Sequence, residues 1–268
     1  MAMRALLFDL GDTLWQTPVP PRPGLEAELA ARRLALVPGG RGEGIDLTRL
    51  AAALLETTRA AQQAAAHGSL LSPDFAGLAD TIIRDFGFAR GADETAGVWR
   101  ACYVPIDRLG RQVFPDAHAT LAWARAAGLR LGAVANHPYG AAAVEAELCS
   151  ANLREFFDAV TVSADVGWLK PHPEIFFAAL AALGVTPDEA VMVGDSLSVD
   201  VKGAMMIGMA AVWKRNGRRG RAGARPPIEP TYQIDDLGEL PRLVHGAPAS
   251  LLTADALGYR EAGPDRYA

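Results

Sequence analysis

The feature that most restricts the fold is a strand–helix alternation running through the second half of the chain. Apolar runs at Arg130–Ala135, Ala159–Val162 and residues 190–193 and 210–213 read as strands. Helical stretches fall between and around them at residues 116–127, 141–148, Pro173–Leu183 and after Ser198, and Gly128 and Gly184 stop two of these. Units of this kind build a parallel sheet with helices on both faces, because each crossover must bring the chain back to the same end of the sheet. A short apolar run at residues 5–8, entered from Arg4, precedes them and is stopped by Asp9. Unbroken hydrophobicity over so few residues suits a central strand buried on both sides. The expected class is therefore α/β, with chemistry gathered where strands end at their carboxyl side.

Residues 16–24 contain four prolines, which exclude helix and central strand and mark a linker. Beyond it the pattern turns helical to about residue 109. Leu25, Leu29 and Leu36 recur near helical spacing, and Asp46 caps a helix over Leu47–Ala66 with Leu50, Leu54 and Leu55 on one face. Ser72-Pro73 reads as the start of a further helix, with Phe75, Leu78, Ile82 and Phe86 as its stripe and Gly87 as its stop. The expected organisation is a core of residues 1–16 and 112–244, an all-helical insertion over 17–111, and a tail over 245–268 with no assigned role.

A chain of 268 residues suits such a core plus insertion. Its formal net charge of −5 invites neither nucleic acid nor an anionic membrane. The first apolar run is too short for a signal segment or a membrane span, which makes the expected location cytoplasmic. Cys102 and Cys149 lack metal or redox spacing and are expected to be buried thiols. Arg215 to Arg225 is basic and reads as a solvated loop.

Four polar sites follow strands: Asp9-Leu10-Gly11-Asp12, Asn136, Lys170-Pro171, and Gly194-Asp195-Ser196 with Asp200 five residues on. Carboxylates converging on one sheet edge repel one another unless a cation lies among them. Oxygen donors with open positions suit Mg²⁺, and a lysine beside them can hold an anionic substrate.

This set, in this order, resembles the haloacid dehalogenase (HAD) superfamily, over residues 3–14 and about 114–240. The resemblance implies a Rossmann-like parallel core whose helical insertion is a C1-type cap. It implies a phosphatase acting on a small phosphorylated metabolite through an aspartyl-phosphate, with Asp9 as nucleophile and Lys170 steadying Asp9 and the phosphoryl oxygens. Mg²⁺ would be held by Asp9, Asp195 and the main-chain carbonyl of Gly11. Asn136 and Lys170 would meet the phosphate, His137 lies beside them, and Asp200 would orient Lys170 or a metal-bound water.

Two positions depart from the family pattern. Gly11 stands where a second Asp usually acts as general acid and base, and Ala135 stands where a Ser or Thr usually binds the phosphoryl group. Loss of a general acid costs about 10²–10⁴ in rate. Asp12 and His137 are the replacement acids that the sequence offers, His137 because its ordinary pKa lies near neutrality. Trp15 and Trp168 are expected to pack between core and cap. The alternatives are a catalytically degenerate binding protein, which restoring Gly11→Asp and Ala135→Ser would test, and a dehalogenase using Asp9 on carbon.

Overall fold

This computed structural model describes residues 3–37, 44–87, 92–216 and 228–246. The tail beyond residue 246 and the basic run beyond residue 216 lie outside the described residues. A six-stranded sheet organises the core. Its strands are β1 (Ala5–Phe8), β4 (Arg130–Ala135), β5 (Ala159–Val162), β6 (Ala190–Gly194), β7 (Ala210–Lys214) and β8 (Tyr232–Ile234), in the order β5-β4-β1-β6-β7-β8. Every pairing in it is parallel. The chain moves outward from β1 to β4 and β5, then crosses to β6 on the other side. That reversal leaves a crevice at the carboxyl end of β1, where ligands of such sheets bind.

Alternation within β1 assigns its side chains to two layers. Leu6 and Phe8 pack in one apolar cluster with α5 (Ala117–Ala126), α6 (Gly140–Ser150) and Leu240 of α10 (Leu240–Gly246). Ala5 and Leu7 face the other, against α8 (Pro173–Leu183) and α9 (Lys202–Met206). Leu6, Leu7 and Phe8 are fully buried, each contributing about 1.5–3 kcal/mol. The one-turn helix α7 (Ser163–Val166) follows β5.

Between β1 and α5 the chain makes a two-stranded antiparallel strap, β2 (Trp15–Gln16) and β3 (Gln112–Val113). Four helices lie between its strands: α1 (Leu25–Leu34), α2 (Leu47–Ala66), α3 (Phe75–Asp85) and α4 (Ala92–Ala101). They enclose an apolar cluster of their own, built on Leu34, Leu50, Leu54, Ile83 and Trp99. Asp46 does cap α2, its carboxylate accepting from the Arg49 N–H at 3.0 Å. Among the described residues no helix is long and apolar enough to cross a membrane.

Three local expectations differ from the structure. Helix α3 is capped by Asp74, which accepts from the Gly77 N–H at 2.9 Å, and buries Phe75, Ala79 and Ile83 rather than Leu78. In α1 the inner face is Ala30, Ala31 and Leu34, while Leu36 is 80% exposed beyond the helix end. In both helices alanines share the buried face with one or two large residues and let the neighbours approach closely, so the stripe of largest apolar residues does not by itself mark that face. Cys149 is exposed, because it sits on the outer face of α6, whereas Cys102 is buried in the insertion.

A contact between α8 and α9 fixes the lower layer. A Cβ built on Gly203 would come within 2.3 Å of the Phe176 ring and 3.0 Å of the Pro171 Cα. Gly203→Ala is expected to cost about 1–3 kcal/mol, read as a lower denaturant midpoint; an unchanged midpoint would contradict this packing.

Candidate active site

Strand register decides which residues share the sheet edge. Phe8 pairs with Ala133 on one side and Val193 on the other, so Asp9 emerges between residue 134 and Gly194. Val162 pairs with Ala135, which brings Ser163 beside the next turn. There the Ser163 hydroxyl accepts from the His137 N–H at 3.1 Å. Asp9 is held at its main chain by donating to the Val193 carbonyl at 2.9 Å.

Lys170 joins these pieces. It is 2% exposed, and its ammonium donates to Asp9 Oδ1 at 2.6 Å, Asp200 Oδ1 at 2.8 Å and the Val134 carbonyl at 2.8 Å. Its main chain is fixed by Asn136, whose side chain accepts from the Lys170 N–H at 2.7 Å and donates to the Lys170 carbonyl at 3.0 Å. Burial alone would lower the Lys170 pKa, but the charges and hydrogen bonds of Asp200 and Asp9 reverse this and hold it above its ordinary value. Burial pushes Asp200 up to about 6, Lys170 pulling down and Asp9 pushing up.

Asp200 reaches the site through a wide π-type turn over Leu197–Val201, a distortion often found at functional positions. Its Oδ2 accepts from the Ser196 N–H at 3.0 Å. A Cβ on Gly194 would lie 2.4 Å from the Asp200 Cβ, so glycine is what admits this carboxylate. Oxygen atoms of Asp9, Asp195 and Asp200 lie within 4.8 Å of one another, an all-oxygen group suited to a hard divalent cation. A cavity of about 370 Å³ opens on Asp9, Gly11, Ala135, Asn136, Lys170 and Asp195.

Several functional neighbours carry no signal in the sequence. The buried Thr13 hydroxyl donates to Asp9 Oδ2 at 3.0 Å, aiming the carboxylate from the other side. Thr17 lines the cavity, and its hydroxyl lies 2.9 Å from where a Cβ of residue 11 would be. The place of the usual second acid is thus partly filled by a threonine. Asp12 is not in this cavity. With φ 57° its side chain turns back to accept from the Thr17 N–H at 2.9 Å, and it lines a separate cleft beside Lys214. Of the two replacement acids that the sequence offers, Asp12 is thus turned away from this cavity.

His137 does line the cavity. Its Nδ1 faces the Tyr139 N–H at 3.3 Å, its Nε2 stands 3.9 Å from Glu147 Oε1, and its ring meets Tyr103 edge-on. Trp15 is buried in the core and also lines the cavity, beneath the Arg111 guanidinium at 5.3 Å. Trp168 stacks on His172 at 3.8 Å and pairs with Leu71 of the insertion.

Burial lowers the His137 pKa from 6.5 to about 4. Between those values the unfolded chain takes up a proton that the folded chain refuses. This contribution to stability is complete above about pH 6.5 and is lost as pH falls toward 4. His137→Asn should remove on the order of 2 kcal/mol of that acid loss; midpoints of the two proteins that fall in parallel with pH would refute it. Gly11→Asp forces Thr17 aside and should cost about 1 kcal/mol, with Thr17→Ala in the same chain recovering most of it. A double-mutant cycle showing strict additivity would count against that contact.

The family model for haloacid dehalogenase-like hydrolases matches residues 3–208. A phosphoserine phosphatase of Thermus thermophilus is 32% identical over 260 residues, covering 89% of this chain and 98% of that protein. Among solved structures, a HAD phosphatase from Thermococcus onnurineus is 29% identical with a TM-score of 0.52, covering 91% of this chain and 98% of its own. A 2-haloacid dehalogenase from Pseudomonas syringae is 25% identical with a TM-score of 0.59, covering 91% and 99%. The match begins at the first strand and runs past the turn that carries Asp200, taking in the whole edge where the polar groups converge. The chain belongs to the haloacid dehalogenase-like hydrolases.

Proposed function

We propose that this hydrolase is a Mg²⁺-dependent phosphomonoesterase acting on a small phosphorylated metabolite. The observation that carries the reading is the Lys170 ammonium bonded to Asp9 at 2.6 Å beside two further carboxylates. A carboxylate so placed is a nucleophile oriented by a fixed cation, and the lysine offsets charge on the transferring group. Attack at phosphorus rather than carbon is supported by a curated relative, covered over 98% of its length, that is named a phosphoserine phosphatase.

In this reading an Asp9 oxygen bonds to phosphorus as the ester oxygen departs, and water then cleaves the resulting aspartyl-phosphate to free phosphate and Asp9. Thr13 and Lys170 hold the two Asp9 oxygens so that the entering lone pair stays aligned. Asp200 holds Lys170, and Asn136 fixes its main chain. Asp9, Asp195 and the Gly11 carbonyl would hold Mg²⁺. A bound ion would supply positive charge to offset the negative charge of the transferring phosphoryl group. No carboxyl at position 11 protonates the departing oxygen, and Ala135 presents a methyl group where a hydroxyl would bind phosphate. The first change favours esters of acidic alcohols, which leave without help, and the second weakens the hold on the phosphoryl group.

A panel including phosphoserine, glycerol phosphates and p-nitrophenyl phosphate should release phosphate only with Mg²⁺. Asp9→Asn should lower kcat by about 10³-fold or more. Undiminished turnover in purified Asp9→Asn, or turnover in excess EDTA, would sink the reading. Halide release from 2-haloacids without metal would instead place the reaction at carbon, and inertness toward every ester would make the cleft a binding site only.

A further inference from the structure

We infer that Glu147 sets the specificity of this cavity by accepting an ammonium group carried on the alcohol part of the phosphate ester. The inference rests on the phosphatase reading for the position of the phosphate. Glu147 lines the same cavity as Asp9 and Lys170, yet it is only 4% exposed and belongs to α6. The cavity's apolar lining includes Trp15, Pro18, Ile106 and Val144, with Thr17 and His137 also on its wall. The alcohol end of a substrate there meets apolar surface, the neutral His137 ring and the Glu147 carboxylate.

That carboxylate is under-supplied with donors. It offers about four lone-pair sites. Among the described residues the one side-chain donor hydrogen-bonded to it is the Tyr103 hydroxyl, on Oε1. The nearby Arg111 does not bond to it. Its guanidinium donates to the main-chain carbonyl of Glu147 at 2.8 Å and to the Ser150 hydroxyl at 3.0 Å, and lies over the Trp15 ring. His137 stands 3.9 Å away, beyond hydrogen-bond reach, and burial keeps its ring neutral near pH 7.

Burial pushes the Glu147 carboxyl above its ordinary range, with the Tyr103 hydroxyl and the Arg111 charge opposing. A buried acid in this condition gains most from a ligand that brings both a positive charge and several donors. An ammonium supplies three N–H groups and a full charge, whereas a hydroxyl supplies one donor and none. Charge-assisted hydrogen bonds are about twice as strong as neutral ones. The cavity therefore discriminates between esters that differ only in this group, as sites built to hydrogen-bond one substrate group do.

Two probe pairs test the inference at two spacer lengths: O-phosphoethanolamine against 2-hydroxyethyl phosphate, and 3-aminopropyl phosphate against 3-hydroxypropyl phosphate. The expected result is a kcat/KM ratio of about tenfold or more for the ammonium member in at least one pair. Glu147→Gln should bring that ratio to within about twofold, while Glu147→Asp, which retains the charge, keeps a preference for the ammonium member. Both members meet the same protein preparation, so any loss of folded fraction cancels from the ratio. Equal handling by the unaltered protein, or an unchanged ratio in Glu147→Gln, overturns the inference. The same pairs titrated calorimetrically into Asp9→Asn need no turnover. Absence of phosphate release then counts against the phosphatase reading, whereas absence of a binding preference counts against Glu147.

Discussion

An ammonium group enclosed by three oxygens is the constraint on which the rest of the sheet edge depends. Lysine carries three donors, and at Lys170 all three are used, by Asp9, Asp200 and the Val134 carbonyl. Those acceptors follow β1, lie in the turn after β6, and sit within β4, which are neighbours in the sheet. One buried charge thus ties three separate segments to a common point. Removing a charge from water is costly unless every partner is in place. The arrangement is accordingly stable only when complete, and the position of the Asp9 carboxylate is set by the fold rather than by its own rotamer preference.

This arrangement also explains which parts were legible in the sequence. Asp9, Asn136, Lys170, Asp195 and Asp200 each follow an apolar run or lie in the turn after one, and a parallel sheet gathers such positions whatever the intervening chain. The strands Arg130–Ala135 and Ala159–Val162 and the helix Pro173–Leu183 were readable to the residue, because glycine, proline or polar residues bound them. The pairs β2 and β3 and the three-residue β8 are too short to show a period. Their pairing is decided by where the insertion leaves and rejoins the core.

Legibility failed wherever a side chain acts through tertiary contact. Thr13 and Thr17 look like ordinary loop residues until the turn after β1 folds one against Asp9 and the other into the space beside Gly11. Glu147 shares an alanine-rich helix with Glu145, and acids on such a helix usually face water. Its burial comes from Tyr103, which arrives from the far end of the insertion. Asp12 failed in the opposite sense: adjacency to Gly11 in sequence suggested a shared cavity, but a left-handed backbone at residue 12 directs it elsewhere.

The insertion and the core are joined at the loops that carry the site. Gln62 of α2 donates to the Asn136 carbonyl at 3.3 Å, and residues 70 and 72 pair with residues 169 and 167 just before Lys170. Trp99 stacks on Tyr139 at 4.6 Å, and Tyr139 in turn meets Tyr103 and His137. Any outward movement of the four helices must therefore break bonds to Asn136, to the segment before Lys170 and to Glu147. Admission of a substrate and the geometry of the nucleophile are consequently linked. The insertion thus touches both the carboxylate of Glu147 and the segment that carries Lys170.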